Sequence, residues 1–249
     1  MPFFNKIRKD QIKSDGLKRY LVYAIGEILL VMIGILLALE VSNWNDEKKE
    51  RVLEKELLSG VLNGLEPDLE DLTFNKNQHT QILGSQKIVL AWLDSKEPFS
   101  DSLKRHLALA HAFTQFISQD GPYETLKING IQLINDPKLR LLISNLYDNV
   151  YDIYGEREKL YNAFAMESYT KINTPLFKGT TPYKLGPEGF MFGEMEPWEP
   201  EELRKSREFQ HQIRTLMVFN ELIVESSMAP TQKKVEQLIV LVKKELEKK

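Results

Sequence analysis

Of the two carboxylates in the most apolar stretch of this 249-residue chain, residues 21–41 (LVYAIGEILLVMIGILLALEV), Glu40 sits at the far end and Glu27 stands well inside. An ionisable group in a membrane helix is costly and usually faces a partner, a cavity or a proton path. By helical rise, Glu27 lies about 10 Å into the helix from Tyr20. Gly34, seven residues further on, falls on nearly the same face, and a small residue there lets a second helix approach closely. Glu27 and Gly34 are therefore the expected site of helix assembly or of proton binding, with assembly favoured. The bland alternative is an acid that is protonated, or snorkels, and merely tolerates its depth.

The rest of the chain offers less chemistry. His79, His106, His111 and His211 are scattered, and His106 and His111 are five apart, a poor spacing for two ligands on one helical face. Glu194, Glu196, Glu199, Glu201 and Glu202 crowd around Trp198, but no loop has calcium-ligand spacing. Acids just before a helix near residue 200 complement its N-terminal dipole. Tyr147, Tyr151, Tyr154 and Tyr161 form a stripe, read as the half-buried seam of a bundle rather than a stacking surface. No G-x-S-x-G, Walker or dinucleotide fingerprint occurs. The expectation is a protein that is not an enzyme, with no metal and no cofactor. With no cysteine, disulfides and thiolate chemistry are excluded. A net charge of -3, without basic blocks interleaved with aromatics, makes nucleic acid a poor partner.

The elements that position these residues begin with 21–41. As a helix this segment spans about 30 Å, the thickness of a bilayer core. Thirteen of its residues are Leu, Ile or Val. They favour insertion by about 4–8 kcal/mol, against about 3 kcal/mol for Glu27. Tyr20 and Tyr23 at one end and Trp44 at the other suit an aromatic belt. The stretch is too long, and its leading tail too extended, for a cleaved signal peptide. Six basic residues precede the helix and four follow within twenty positions. That bias points to residues 1–20 as a cytoplasmic tail, 21–41 as a transmembrane helix and 42–249 as a helical, periplasmic domain.

Beyond the helix, Leu53, Leu57, Val61, Leu65, Leu69 and Leu72 recur at helical spacing, with Pro67 expected to break or kink the run and start a new helix. Further periodic segments lie near 75–94 and 100–118, and Asp120-Gly121-Pro122 reads as a turn. Asp136-Pro137 reads as an N-cap followed by proline at the first helical position. A long helix follows, and two more are expected at 200–226 and 230–247. The fold class is all-α: an N-terminal transmembrane helix, then an antiparallel helical bundle. One long loop interrupts it. Residues 173–200 hold five prolines and four glycines, so regular structure is not expected there. They also hold aromatics that a disordered linker would lack, and Phe190, Phe192 and Trp198 are the expected partner-binding residues.

The runs Lys18-Arg19-Tyr20-Leu21, Ala24-Ile25-Gly26-Glu27-Ile28, Ile33-Gly34-Ile35 and Asn43-Trp44-Asn45 resemble a family of uncharacterised single-pass membrane-anchored proteins common in Bacteroidota. Tyr123-Glu124-Thr125-Leu126-Lys127, Gly130 and Leu139-Arg140 resemble that family's soluble part. The resemblance implies a bacterial inner membrane and a helical periplasmic domain, and it implies no activity. The architecture also looks like the one-span subunits of proton-driven stators, although those usually carry Asp and a different periplasmic domain. The expected function is a non-catalytic, membrane-anchored assembly or scaffold protein. Its partners would be the lipid bilayer and a second copy or another membrane protein. The alternative is an auxiliary subunit of a proton-driven inner-membrane machine with Glu27 as the titrating group.

Overall fold

The computed structural model describes residues 17–172, 175–180, 185–186, 189–190 and 193–248. Most of the expected cytoplasmic tail, residues 1–16, lies outside them. By its internal contacts the chain divides into two units, Met1–Glu54 and Lys55–Lys249.

The first unit contains the N-terminal part of helix α1 (Leu17–Asp94). This part is long and apolar enough to cross a membrane. Its large apolar side chains, from Leu21 through Ile28, Leu30 and Ile33 to Val41, are all exposed. A water-soluble helix of this length would show an amphipathic stripe. This one is apolar all round.

In the second unit α1 changes character. Leu58, Val61, Leu65, Asp68, Leu72, Asn75, His79, Ile82, Gln86 and Val89 are buried at steps of three and four, while Pro67 is exposed. The helix therefore does not restart at Pro67, as its proline suggested. The ring sits on the solvent side, and the same buried face continues on both flanks. That packing outweighs the roughly 3 kcal/mol a proline costs in a helix interior.

The remaining helices are α2 (Ser102–Leu109), α3 (Gly121–Asn129), α4 (Pro137–Asn145), α5 (Tyr151–Glu167), α6 (Pro200–Lys205), α7 (Arg207–Ile223) and α8 (Ala229–Glu247). Asp120-Gly121-Pro122 opens α3 rather than forming an isolated turn, with proline in its first turn. Asp136 caps α4 as its sequence predicts, accepting from the backbone N–H groups of Lys138 and Leu139. A π-helical turn, Leu146–Val150, joins α4 to α5, so the two make one long rod. The helix expected over 200–226 is cut at Ser206, whose hydroxyl caps α7 by accepting from the Phe209 N–H.

Cross-links between these helices fix their directions. Along α8, Gln232 meets Thr73 and Lys76, Lys243 meets Glu66, and Lys248 meets Lys55, so α8 runs antiparallel to α1. Along α7, Arg214 pairs with Asp94, while Glu221 pairs with Lys87 and Asn220 bonds to His79. That helix is antiparallel to α1 as well. Along α5, Tyr151 bonds to Asp68 and Tyr161 packs edge-on against His79, which makes α5 parallel to α1. The domain is thus a helical bundle with α1 and α4–α5 running one way and α7 and α8 the other.

Two irregular segments cross this bundle. In residues 173–200, β1 (Phe177–Thr180) pairs antiparallel with β4 (Met195–Pro197), and β2 (Leu185–Gly186) pairs with β3 (Gly189–Phe190). The sequence pointed to no regular structure here. The ribbon forms because Phe177 and Met195 are buried, Phe177 packs on Phe209, and Lys178 pairs with Glu196 at 2.8 Å. The second segment, residues 110–120, was expected to continue a helix to 118, but α2 stops at Leu109 and the chain becomes a strap. From Phe113 to Gln119 exposure alternates residue by residue. That is the period of an extended chain, and Phe113, Thr114, Phe116 and Ile117 favour it.

Candidate functional site

Among the described residues no strand pairs with the strap, so its backbone groups must be satisfied one at a time. Gln86 donates to Ala110 O, the Tyr161 hydroxyl to Ala112 O, and Asn162 to Thr114 O. The other half of the strap turns its N–H groups to carboxylates. Phe116 N donates to both oxygens of Glu158 (3.0 and 2.9 Å), Ile117 N to Asp71 (3.1 Å) and Gln119 N to Asp68 (2.7 Å). Gly64 makes the last of these approaches possible. A Cβ there would stand 2.9 Å from Gln119 O, closer than real contacts allow.

The tyrosine stripe is the inner face of this arrangement. Tyr147, Tyr151, Tyr154 and Tyr161 are all buried. Tyr151 donates to Asp68, Tyr154 to Glu158, and Phe116 of the strap packs edge-on against both rings. Tyr123 of α3 stacks on Tyr147 with ring centroids 4.6 Å apart and donates to Asp148, while Lys127 lies over its outer face. The Tyr123–Lys127 segment, singled out by resemblance, is therefore an anchor for α3. Gly130 ends that helix at φ +103°, a conformation that suits glycine.

Burial shifts the groups that titrate here. Glu158 is pushed up to about 7 by desolvation, with the Phe116 N–H and Tyr154 hydroxyl pulling the other way. Asp68 is raised for the same first reason. His79 and His111 are pushed down to about 4 by burial, so both are neutral at pH 7. The histidines' contribution to stability is present above pH 6.5 and is lost as pH falls through 4. That of Glu158 has the opposite sign: it is fully present below 4.5 and lost as pH rises through 7. Glu158→Gln removes this opposing part. Acidifying the variant from pH 7 to 4.5 is expected to cost about 3 kcal/mol more than in the parent chain. Urea midpoints measured across that range check it; parallel curves would contradict it.

Where the strap leaves α2, it borders a cavity of about 630 Å³. Asn75 of α1, His111 and Thr114 of the strap, Met166 of α5 and Met195 of β4 are among its walls. Three buried polar atoms of wall residues, Asn75 Nδ2, His111 Nε2 and Thr114 Oγ1, have no hydrogen-bond partner among the described residues. His111 Nδ1 is 2.9 Å from Leu107 O. Because a carbonyl only accepts, that nitrogen carries the proton, and Nε2 presents a bare lone pair. Asn75 comes from α1 and His111 and Thr114 from the strap, and no spacing in the sequence joins the two segments.

The residues expected to be functional lie elsewhere. Glu27 and Gly34 are on the apolar part of α1, where a Cβ on Gly34 would meet nothing within 4 Å. Phe190 lies in β3, but its side chain, like the whole of Phe192, is outside the described residues. Trp198 directly follows β4 and is 59% exposed. Of the glutamates around it, Glu196 pairs with Lys178, Glu201 with Arg204 and Glu202 with Lys205. No group of three acids or histidines suited to a metal ion occurs among the described residues.

A family model described as a family of unknown function, DUF6090, matches residues 27–171, more than half of the chain. The match takes in Glu27, Gly34, the strap and the 123–130 segment. No curated protein and no solved structure matches the chain.

Proposed function

We propose that the chain, which belongs to the DUF6090 family, is a non-catalytic, membrane-anchored assembly protein. In this reading residues 21–41 cross a bacterial inner membrane with residues 1–20 in the cytoplasm. Residues 42–249 lie in the periplasm, where the bundle and the 173–200 loop meet a partner. The observation that carries the proposal is the exposure of every large apolar side chain from Leu21 to Val41. So much apolar surface needs lipid or another helix around it. Exposed Ile153 and Leu160 on α5, Val218 and Leu222 on α7, and Trp198 beside the ribbon support a protein partner for the soluble part.

Helix assembly through the Gly34 face is tested on the full chain in lipid nanodiscs by mass photometry. The expected species is a dimer or larger. Gly34→Leu, which puts a bulky side chain where a second helix would approach, is expected to weaken association at least tenfold. A monomeric parent chain that captures no second membrane protein would overturn the proposal.

A further inference from the structure

The two halves of the strap are held by different chemistry. Neutral groups tie the first half: Gln86 donates to Ala110 O, Tyr161 to Ala112 O and Asn162 to Thr114 O. The second half is tied to carboxylates, with Phe116 N donating to Glu158, Ile117 N to Asp71 and Gln119 N to Asp68. Beyond it, Tyr123 stacks on Tyr147 and donates to Asp148, which fixes the start of α3. Residues 115–120 thus form a short span between two fixed points. We propose that this span is a pH-sensitive latch, closed over α1 and α5 in acid and released as pH rises, uncovering the groove of Asp68, Tyr151, Tyr154 and Glu158 beneath it.

The acids under the latch meet without a cation. None of Asp68, Asp71 and Glu158 forms an ion pair with a lysine, arginine or histidine among the described residues. The charge that faces Glu158 from α1 is Asp71, and on its own helix the Tyr154 hydroxyl donates to it. The strap offers it only the Phe116 N–H. Arg157, next in α5, turns instead to Ser226 and Ser227. Asp68 faces Asp71 and also Asp120, at the end of the latch itself. An ionised Glu158 is therefore buried beside a second negative charge, and its carboxyl is pushed up to about 7. Opening lets water reach it and returns it to the ordinary glutamate range, so opening releases a proton. The closed form keeps its full advantage below pH 4.5 and loses it as pH rises through 7. Asp68, also raised by burial, acts in the same direction. Little apolar packing opposes release, since Gln115, Ile117 and Gln119 are exposed and Phe116 supplies the ring contacts with α5.

The test is hydrogen exchange of the full chain in lipid nanodiscs, read by mass spectrometry at pH 5.5 and 8.0 and corrected for the chemical exchange rate. Peptides covering 115–120 are expected to open about tenfold or more at pH 8.0 relative to pH 5.5, and to exchange faster at pH 8.0 than peptides from α8. Glu158→Gln, which cannot ionise, should cut that response to about threefold or less. Should Glu158→Gln not fold, Asp71→Asn decides, because it keeps an acceptor for Ile117 N but removes the facing charge; its response should be smaller than the parent's. Equal opening at the two pH values, an undiminished response in the folded variant, or exchange over 115–120 no faster than in α8 at pH 8.0 would each overturn the latch.

Discussion

Glu158→Ala is expected to lower the unfolding free energy of the bundle by about 3 kcal/mol. Glu158 is 3% exposed and accepts from the Phe116 N–H with both oxygens and from the Tyr154 hydroxyl. Alanine removes every one of these acceptors and leaves a hole between the strap and α5. The donors stay buried, so the desolvation they suffered on folding is no longer compensated. Glu158→Gln keeps one acceptor oxygen of the same reach and is expected to cost about 1 kcal/mol. Urea unfolding of the chain in nanodiscs, followed by circular dichroism, measures both. If alanine proves as mild as glutamine, the strap is not held in the way its geometry indicates.

Placing arginine at both Leu30 and Ile33 is expected to remove the chain from the membrane. Both positions lie near the middle of the apolar segment, where each charge costs about 3 kcal/mol. The segment's gain of about 4–8 kcal/mol already carries Glu27, so two further charges exceed it. Fractionation of cells expressing the variant checks the result. A doubly substituted chain that stays fully membrane-bound would mean that something other than residues 21–41 holds it there.

How far the fold could be read from sequence depended on whether the signal was local. The buried face of α1, the cap at Asp136 and the apolar side of α8 (Val235, Leu238, Ile239 and Val242) are written in residues three or four apart. Pro67 misled because a single residue does not show which side of a helix it occupies. The strap was misread because Phe113, Phe116 and Ile117 fit helical spacing; the alternating exposure from 113 to 119 shows the extended chain instead. The ribbon in 173–200 depends on the contact of Phe177 with Phe209, over thirty residues away, and no local pattern announces it. The tyrosine stripe was legible as a seam, but the carboxylates that it and the strap share were not. Asp68 and Asp71 are neighbours on α1, and Glu158 joins them only when α5 lies parallel to α1. The cavity was least legible of all. His111 drew attention only as a poor metal ligand, and Asn75 and Thr114 drew none.

The account rests on residues 21–41 being embedded in lipid. The most direct measurement is fractionation of cells expressing the unaltered full chain, followed by an alkaline carbonate wash of the membranes. An integral helix resists that wash, whereas a peripheral protein is stripped by it. The account predicts that the chain stays in the washed pellet and is released only by detergent. Recovery of the chain in the carbonate supernatant, or in the soluble fraction before washing, would contradict it.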